Sequence, residues 1–429
     1  MSVNKPGMAA SGPNYTAVVT EEHELLVATN GGPLRAAALD DSNLQIVMVV
    51  VSFEHFAAVT LDGGVVVSGI NTGGLLGIDA SADASVVPLT RVPPALFNGA
   101  RIIQLAVGSM HTVALTDTGG VYTTGSGYHG QLGLGTRRDV SVFTRVAALA
   151  EVVFIAAGAG GSAAISRQLY TWGNNRHGEL GVGDREARLL PVVVPVGEAA
   201  APVDEAAAPV GEAAAPVGEA AAPPVYVSMG QHTAVVLEND KMWVWGSNQR
   251  GQLALGDRVE RVLPCEVDVG AVGGRVVSVV CGTRNTLVLA RGGAVFWCGS
   301  AATSDDVRAE DRLVLQRIPD LPQAVSLMTG RGVRFGAVTT EGTLYDWHAR
   351  TTAPTPMLRQ LDVRAGLFNP LLPEHALAFA MLRHARLGAG SVCAVVPDDV
   401  FRGIVEACAS RPTGPVGALD GVRRLLGGA

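Results

Sequence analysis

The chain has 429 residues, a formal net charge of −7 and 5% aromatic residues, whereas glycine occurs 53 times. The negative net charge argues against direct binding to the nucleic-acid backbone, because such binding needs a concentrated basic surface. Abundant glycine without a collagen period predicts many tight turns between short strands, around a core of valine, leucine, isoleucine and alanine.

The cysteines and the N-terminal residues bear on the cellular compartment. The chain has no uninterrupted apolar run of the ~18 residues that a membrane span requires, and its first residues lack the apolar stretch of a secretion signal. We therefore expect an intracellular protein, cytoplasmic or nuclear, without membrane contact and with a flexible N-terminus over residues 1–13. Five cysteines without Cys-x-x-Cys spacing predict reduced thiols and no zinc site: Cys265, Cys281, Cys298, Cys393 and Cys408.

One sequence pattern recurs seven times along the chain. In its clearest copy, residues 108–135, a His-Thr pair opens an alternating run, and a Gly-Gly turn, a second short run and a glycine-spaced loop follow. The first copy, residues 14–51, lacks the loop, and the second contains Asp62-Gly63-Gly64, a strong hairpin signal. From the second copy to the seventh, the histidine position is occupied by His55, His111, Gly161, His232, Asn285 and Arg334.

The spacing of these copies predicts the fold. Equivalent positions are separated by 56, 50, 71, 53 and 49 residues, and the long interval contains an insertion. A period of about 50 residues with four short strands is typical of a propeller blade. Segments such as 111–116, 119–125 and the proline-bearing 189–194 predict three strands, and the apolar run before the next copy, such as 152–158, predicts the fourth. The predicted fold is all-β, a seven-bladed β-propeller of four-stranded blades with a short helical C-terminal extension.

The glycine-spaced loops carry a family resemblance. WGNNRHGELGVGD at residues 172–184 and WGSNQRGQLALGD at residues 245–257 are similar to the W-G-x-N-x-x-G-Q-L-G-x-G signature of the regulator of chromosome condensation repeat. The His-Thr openings match the same repeat. The resemblance covers about residues 14–366 and implies a propeller, which we place at residues 14–369. Family members normally join strands from both chain ends in one blade, and the sequence leaves open how this ring closes.

Two segments lie outside the repeat. Residues 195–222 repeat Pro-Val-Gly-Glu-Ala-Ala-Ala with one aspartate, and we predict a disordered insertion at the propeller rim, between strands of the fourth copy. Residues 370–429 have the spacing of two helices, which begin near Pro373 and Pro397. Residues 395–405 are similar to the opening of an F-box, and simple packing against the propeller is the alternative interpretation.

The polar residues that recur in the pattern are predicted to be structural. His55, His111 and His232 belong to different blades and cannot converge on one metal ion, so we expect them to form inter-blade hydrogen bonds. The glycine loops lie between strands and lack the helix N-terminus behind a phosphate cradle. They are predicted to be turns in which glycine supplies positive φ. No hydrolase or nucleotide-binding motif is present, so we predict no catalytic residue, metal or cofactor.

The tryptophans are predicted to pack in the core. Photoreceptor members of the family carry their chromophore tryptophans in a Gly-Trp-Arg-His-Thr repeat, whereas the equivalent openings here read GSMHT and MGQHT. We therefore do not expect a photoreceptor. Four tryptophans fall on the second strand of their copies: Trp172, Trp245, Trp297 and Trp347.

The remaining candidate site is a set of loop tips that recur at one position per blade: Tyr128, His129, Arg176, His177, Gln249 and Arg250. Arginine and aromatic side chains on rigid loops suit a protein interface, so we predict a monomeric, non-catalytic scaffold that binds a protein partner. Ordinary solvated loop tips are the alternative interpretation. The resemblance also implies guanine-nucleotide exchange on a Ran-like small GTPase with chromatin association, and the F-box-like segment would suit a ubiquitin-ligase substrate adaptor.

Overall fold

The structure of the protein is a computed structural model that describes residues 9–11, 15–19, 23–29, 35–37, 44–78, 86–196, 224–237, 241–273, 275–300, 311–329, 334–339, 344–348 and 359–361. Within these ranges the chain forms β-strands and three short 3₁₀ helices, Thr72–Gly74, Pro94–Phe97 and Gly270–Val272.

The described strands form seven four-stranded antiparallel sheets, and each sheet is one continuous stretch of chain paired in sequence order. Blade 1 contains β1 (Ala9–Ser11), β2 (Tyr15–Val19), β3 (Leu25–Thr29) and β4 (Arg35–Ala36). Blade 2 contains β5 (Ile46–Val51), β6 (His55–Thr60), β7 (Val65–Ile70) and β8 (Val86–Arg91). Blade 3 contains β9 (Ile102–Val107), β10 (His111–Thr116), β11 (Val121–Gly125) and β12 (Val140–Arg145). Blade 4 contains β13 (Phe154–Ala157), β14 (Gly161–Ile165), β15 (Leu169–Gly173) and β16 (Arg188–Val193).

The last three blades follow the same plan. Blade 5 contains β17 (Pro224–Met229), β18 (His232–Leu237), β19 (Met242–Gly246) and β20 (Arg261–Val267). Blade 6 contains β21 (Val276–Cys281), β22 (Asn285–Ala290), β23 (Val295–Gly299) and β24 (Arg312–Arg317). Blade 7 contains β25 (Ala324–Thr329), β26 (Arg334–Thr339), β27 (Leu344–His348) and β28 (Arg359–Leu361). The seven four-stranded blades confirm the predicted fold class.

The first strand of each blade contacts the first strands of its neighbours, so these seven strands form the inner ring. The sequence placed each apolar run at the end of a copy, whereas the structure makes it the first strand of the following blade. The run 152–158 shows why: its last residue, Gly158, donates its N–H to the carbonyl of Gly161 at 2.8 Å, which closes a tight hairpin into the next opening. For the same reason residues 46–51 begin blade 2.

Blade 1 begins earlier than the sequence indicated. Its first strand, β1, pairs with β2 through Ala10↔Ala17 and lies within residues 1–13, which the sequence assigned to a flexible N-terminus. A strand of three small residues carries no alternation that could reveal it. β1 also contacts β5 on one side and β25 and β26 on the other. The ring therefore closes by packing of blade 1 between blades 2 and 7, and among the described strands no sheet combines the first and the last blade.

The core lies between neighbouring blades. One buried cluster joins Ala57 and Val67 of blade 2 to Leu105, Ala114 and Phe143 of blade 3. Strands buried on both faces explain why the runs of valine, alanine and leucine are nearly continuous. Burial of apolar side chains in this way contributes roughly 25 cal/mol per Å² of surface removed from water, so blade stacking is the main stabilising interaction of the fold.

The hairpin predicted at Asp62-Gly63-Gly64 is present between β6 and β7. Gly63 has φ of +82°, a left-handed conformation that glycine adopts without steric cost. Asp62 Oδ1 accepts a hydrogen bond from the N–H of Gly64 at 3.2 Å. Hydrogen bonding from Thr60, reinforced by the Arg91 guanidinium, lowers the pKa of Asp62 to about 2. The turn is thus fixed both by backbone freedom and by a charged anchor.

Both segments outside the repeat lie largely beyond the described residues. The insertion leaves β16, the outermost strand of blade 4, and returns into β17, the innermost strand of blade 5, so it joins two blades rather than two strands of one blade. The predicted helices of residues 370–429 lie outside the described residues. Their F-box-like character remains a prediction. In the part of the chain that the structure describes, no helix is long and apolar enough to cross a membrane.

Candidate functional site

The loops that carry the predicted site leave one end of the propeller, which we call the loop face. In each blade the third strand ends opposite the start of the second, as in the pair His111↔Gly125, so the hairpin openings and the loops after the third strand share this end. The loops of blades 3, 4 and 5, which we call the glycine loops, span residues 126–139, 174–187 and 247–260.

Hydrogen bonds within each glycine loop fix its shape. Asn175 Oδ1 accepts from the N–H of Leu180 at 2.9 Å, and the Asn175 amide donates to the carbonyl of Asp184 at 2.9 Å. Asn248 holds the loop of blade 5 in the same way. Gly178 has φ of +77°, which agrees with the predicted turn. Because these backbone groups bond within the protein, the loops are structural turns that present their tips rigidly.

The glycine loops also connect each blade to the next. The carbonyl of Gln131 accepts one hydrogen bond from Ser162 Oγ at 2.9 Å and another from Trp172 Nε1 at 2.8 Å. In the next junction the carbonyl of Glu179 accepts from Trp245 Nε1 at 2.9 Å. Each loop is therefore bonded to the second and third strands of the following blade, which limits its freedom to move.

Three of the four tryptophans that the sequence places in the core are buried, which confirms the prediction for them. Trp172 and Trp245 are fully buried and Trp297 is 5% exposed. All three lie on the third strand of their blades and not on the second, because the apolar run forms the first strand of each blade. The side chain of Trp347 lies outside the described residues. Buried indoles whose N–H groups are satisfied by backbone carbonyls are typical of structural tryptophans.

The three histidines of the pattern hydrogen-bond to the neighbouring blade. His55 Nε2 lies 2.9 Å from Thr112 Oγ1, His111 Nε2 lies 2.8 Å from Ser162 Oγ, and His232 Nε2 lies 2.6 Å from Thr286 Oγ1. All three histidine side chains are fully buried. Burial lowers the pKa of His232 to about 3, so this ring is neutral at physiological pH and acts as a hydrogen-bonding group rather than a charge.

The predicted loop tips differ in exposure and in partners. Tyr128 is 70% exposed, and Arg176 and Gln249 are also exposed, whereas the other three tips are half-buried. His177 Nδ1 lies 2.8 Å from Glu260 Oε1 of the next blade, and Gln249 reaches the same oxygen at 3.4 Å. Arg250 lies 3.8 Å from Asp311 of blade 6. Glu260 thus joins the tips of blades 4 and 5, whereas Asp311 binds the tip of blade 5 alone.

His129 lies next to arginine side chains. Its ring stacks edge-on against Tyr128, with ring centroids 4.8 Å apart. Burial, followed by the positive charges of Arg176 and Arg137, lowers the pKa of His129. This part of the loop face is therefore electropositive around a neutral imidazole.

The sequence did not indicate two apolar residues on the same face. Phe53 is 49% exposed and Met110 is 42% exposed, and both lie in the hairpin turns between the first and second strands. Beside them the inner strands end around a cavity of about 180 Å³ lined by residues such as Ser109, Gln231 and Thr283. These turn positions differ from blade to blade, so no periodic signal could have revealed them.

Comparison with known proteins identifies the repeat. The model of the regulator of chromosome condensation (RCC1) repeat matches residues 118–165, 168–208 and 239–289, and a second model of this repeat matches residues 102–131. The chain is 29% identical over 322 residues to the ultraviolet-B receptor UVR8 of Arabidopsis thaliana, which covers 73% of this chain and 55% of the receptor. It is 32% identical over 124 residues to the secretion-regulating guanine nucleotide exchange factor of Bos taurus, covering 28% of this chain and 26% of that factor.

The fold is similar to a solved structure. Prp20p of Saccharomyces cerevisiae matches with a TM-score of 0.62 at 18% identity, covering 84% of this chain and 88% of that chain. The chain spans only about half of the receptor and about a quarter of the exchange factor, so these matches concern the repeat region. The repeat models, the spacing of the glycine loops and the seven four-stranded sheets agree. The chain therefore carries repeats of the regulator of chromosome condensation type within residues 102–208 and 239–289, and its described strands form seven four-stranded blades.

Proposed function

We propose that the chain is a non-catalytic interaction protein that binds a protein partner through its loop face. The observation that carries this proposal is the exposure of Tyr128, Arg176 and Gln249 at equivalent tips of three rigid loops on one face. Aromatic and arginine side chains are enriched in protein interfaces and dominate their binding energy. Exposed Phe53 and Met110 lie on the same face, next to the mouth of the inner ring.

The rigidity of these loops favours binding. Association costs about 0.5–1.5 kcal/mol for each side chain that must be immobilised, and more for a loop that must be ordered. Here the loop backbone is already fixed by Asn175, Asn248 and the carbonyl bonds to the following blade. A partner therefore meets a surface whose backbone needs little further ordering, and the side-chain tips provide specificity.

A capture experiment with charge-reversed tips tests this proposal. Tagged wild-type protein and the variants Arg176→Glu and Arg250→Glu are used to capture partners, which are compared by quantitative mass spectrometry. The matched control is Arg167→Glu, because Arg167 is exposed in the turn between β14 and β15 at the opposite end of the blade. We expect the loop-face variants to lose partners that the control retains. An identical set of partners for all four proteins would contradict the loop face as the binding surface.

Guanine-nucleotide exchange on a small GTPase is the second candidate function. It is supported by the match to the secretion-regulating guanine nucleotide exchange factor and by the fold similarity to Prp20p, a protein with binding properties towards Gsp1p and histones. Exchange is measured as release of fluorescent GDP from a panel of small GTPases that includes a Ran-like member. Acceleration by the wild-type chain, and its loss in Arg176→Glu, would favour exchange. Absence of acceleration across the panel would leave the scaffold function.

A further inference from the structure

The three glycine loops dock on the next blade in the same register. The N–H groups of Gly135, Gly183 and Gly256 donate to the carbonyls of Leu189, Val262 and Leu313, each at 2.9 Å. These bonds place the start of the fourth strand of one blade against the loop of the preceding blade. The residue just before that fourth strand therefore occupies an equivalent place at each junction, so the three junctions can be compared residue by residue.

At the junction of blades 4 and 5 this residue is an acid that bonds to a histidine and an arginine of the preceding loop. Glu260 Oε1 lies 2.8 Å from His177 Nδ1, and Glu260 Oε2 accepts from Arg185 Nη1 at 2.6 Å. Burial opposes ionisation of Glu260, but the hydrogen bonds from Arg185 and His177 lower its pKa overall. One carboxylate thus bonds to both the tip residue His177 and the later Arg185 of the preceding loop.

The junction of blades 5 and 6 repeats this arrangement. Asp311 immediately precedes β24, as Glu260 precedes β20. Asp311 Oδ2 lies 2.9 Å from Arg258 Nη2 and 3.8 Å from Arg250 Nη1. Arg250 and Arg258 occupy the loop positions of His177 and Arg185. An acidic residue that faces two basic loop residues, histidine or arginine, therefore occurs at both of these junctions.

The junction of blades 3 and 4 has the same two basic loop positions, a histidine and an arginine, without the acid. His129 and Arg137 occupy the loop positions of His177 and Arg185, but the residue before β16 is Ala187. Arg137 Nη1 donates to the carbonyl of Tyr128 at 2.9 Å, which orients the guanidinium towards the tip. Among the described residues, the ion pairs of this face include neither Arg137 nor the exposed Arg176. Among the described residues, the carboxylate that Glu260 and Asp311 provide in the next two junctions has no counterpart before β16.

We propose that the blade 3–4 junction, formed by His129, Arg137, Arg176 and the small Ala187, binds an aspartate or glutamate side chain of an acidic segment in a protein partner. The proposal rests on the proposed function and specifies the chemistry of the partner. The incoming carboxylate takes the place that Glu260 and Asp311 occupy in the next two junctions. Exposed Tyr128 beside it provides a surface for an apolar or aromatic neighbour of that acid.

The surrounding charges favour a single carboxylate over a continuous polyanion. Asp139, which bonds to the loop of blade 3 at Gly127, and Glu186, next to Ala187, are both exposed, and the net charge of the chain is −7. A nucleic-acid backbone gains affinity from many phosphates in succession, and it would meet these acids. A short acidic peptide can place one side chain between the arginines and direct the rest of its length away.

Fluorescence anisotropy of a labelled peptide that alternates glutamate and glycine tests the site, with the glutamine counterpart of the peptide as the neutral reference. Ala187→Glu supplies an internal carboxylate and is expected to weaken peptide binding at least about tenfold, the effect of removing a charge-assisted contact. Ala187→Gln is the matched control, since it has nearly the same size without the charge and should retain more of the affinity. Arg137→Gln should weaken binding to a similar extent as Ala187→Glu.

A second variant tests the same site by gain of function. Glu260→Ala removes the acid beside His177 and Arg185, so this junction then resembles the wild-type junction at His129 and Arg137. The variant should therefore bind more peptides per chain. A folded Ala187→Glu variant is recognised by a raised pKa of His129 in NMR titration, because the new carboxylate stabilises the imidazolium. Peptide affinity equal to wild type in that folded variant, or preference for duplex DNA over the peptide, would overturn the carboxylate site. Arg250 lies outside this junction, so loss of partners in Arg250→Glu tests the loop face as a binding surface independently of the carboxylate site.

Discussion

His55 of blade 2 and Thr112 of blade 3 are joined across the blade interface by a hydrogen bond of 2.9 Å between Nε2 and Oγ1. The Thr112 hydroxyl also donates to the carbonyl of Leu75, 2.9 Å away in blade 2. A hydroxyl has one proton, and the carbonyl accepts it, so His55 must donate from Nε2. The unprotonated Nδ1 then accepts from Ser52 Oγ at 2.6 Å. One threonine therefore fixes the tautomer of the histidine and bonds twice to the preceding blade.

Replacing Thr112 by valine should destabilise the propeller by about 3 kcal/mol. The substitution keeps the shape but leaves the His55 N–H and the Leu75 carbonyl buried without their partner, and each such group costs about 1–3 kcal/mol. The free energy of unfolding is measured from urea-induced transitions. Thr144→Val on the outer strand of the same blade is the control and should change stability by less than about 0.5 kcal/mol. Equal stabilities of the two variants would contradict the role of the Thr112 hydroxyl.

Gly181 is predicted to be irreplaceable, whereas its counterpart Ala254 is not. Gly181 has φ of +72°, and a Cβ there would lie 2.7 Å from Trp245 Nε1. Gly181→Ala combines a left-handed backbone with overpacking against a fixed indole, so we expect a loss of about 3 kcal/mol. Ala254 adopts φ of +60°. In this junction the counterpart of Trp245 is the smaller Cys298, which donates to the Gln252 carbonyl.

The matched experiment compares Gly181→Ala with Ala254→Gly by thermal and urea unfolding. The second variant relieves the left-handed strain of an alanine and should be neutral or stabilising by up to about 1 kcal/mol. A destabilisation by Ala254→Gly as large as that of Gly181→Ala would show that the size of the neighbouring side chain does not control this position.

The sequence predicts the blades well because their signals are local. The alternation around His111, the turn at Gly63 and the spacing of the glycine loops all arise within one copy of the repeat. The assignment of each apolar run to a blade was wrong, because the run lies between two copies of the pattern and could belong to either. The hairpin at Gly158 shows that the run belongs to the following blade. Local patterns specify strands and turns, whereas the grouping of strands into sheets depends on pairing that periodicity does not contain.

The candidate site was only partly predictable for a related reason. The tips at Tyr128 and Arg176 recur at fixed offsets and could be identified from the sequence. The acids that bond to the loops, Glu260 to His177 and Asp311 to Arg258, lie in the following blade, so these contacts require the register of one blade on the next. The absence of such an acid at Ala187 has meaning only once that register is known. Inter-blade electrostatics therefore became visible in the structure alone.

His232 should make the protein lose stability as pH falls. Its pKa is lowered to about 3 in the folded protein, whereas an unfolded histidine has a pKa of about 6.5. The unfolded chain therefore binds a proton first, and the stability contributed by the neutral ring is complete above pH 6.5 and declines as pH falls towards the folded pKa. Asparagine occupies the equivalent position 285, so His232→Asn is the natural comparison.

We expect His232→Asn to be less stable than wild type at pH 7, because the bond to Thr286 is lost. The difference in free energy of unfolding between the two proteins should shrink between about pH 6 and pH 4, by up to about 1.4 kcal/mol per pH unit. Urea unfolding at several pH values measures this difference. A constant difference across the range would mean that His232 becomes protonated in the folded protein near its ordinary pKa.

Glu179 is a buried acid at a position where the other glycine loops have glutamine. Its carboxylate accepts the N–H of His177 at 2.7 Å, as Gln131 accepts that of His129 and Gln252 that of Arg250. The side chain is only 4% exposed, and burial raises its pKa. The ionised form is therefore disfavoured by the fold, and a neutral amide can make the same backbone contact.

Glu179→Gln should stabilise the protein at neutral pH. Because the folded pKa lies above the unfolded value, the favourable contribution of the protonated acid is complete below the unfolded pKa and is lost as pH rises through the folded pKa. The glutamine variant does not titrate, so its advantage over wild type should be small at pH 4 and grow towards pH 7. Thermal unfolding across this range measures it, and Glu186→Gln at an exposed position of the same loop is the control. A lower melting temperature for Glu179→Gln at pH 7 would show that the charge on Glu179 is needed, through its bonds to Asn174 and His177, to hold the loop of blade 4.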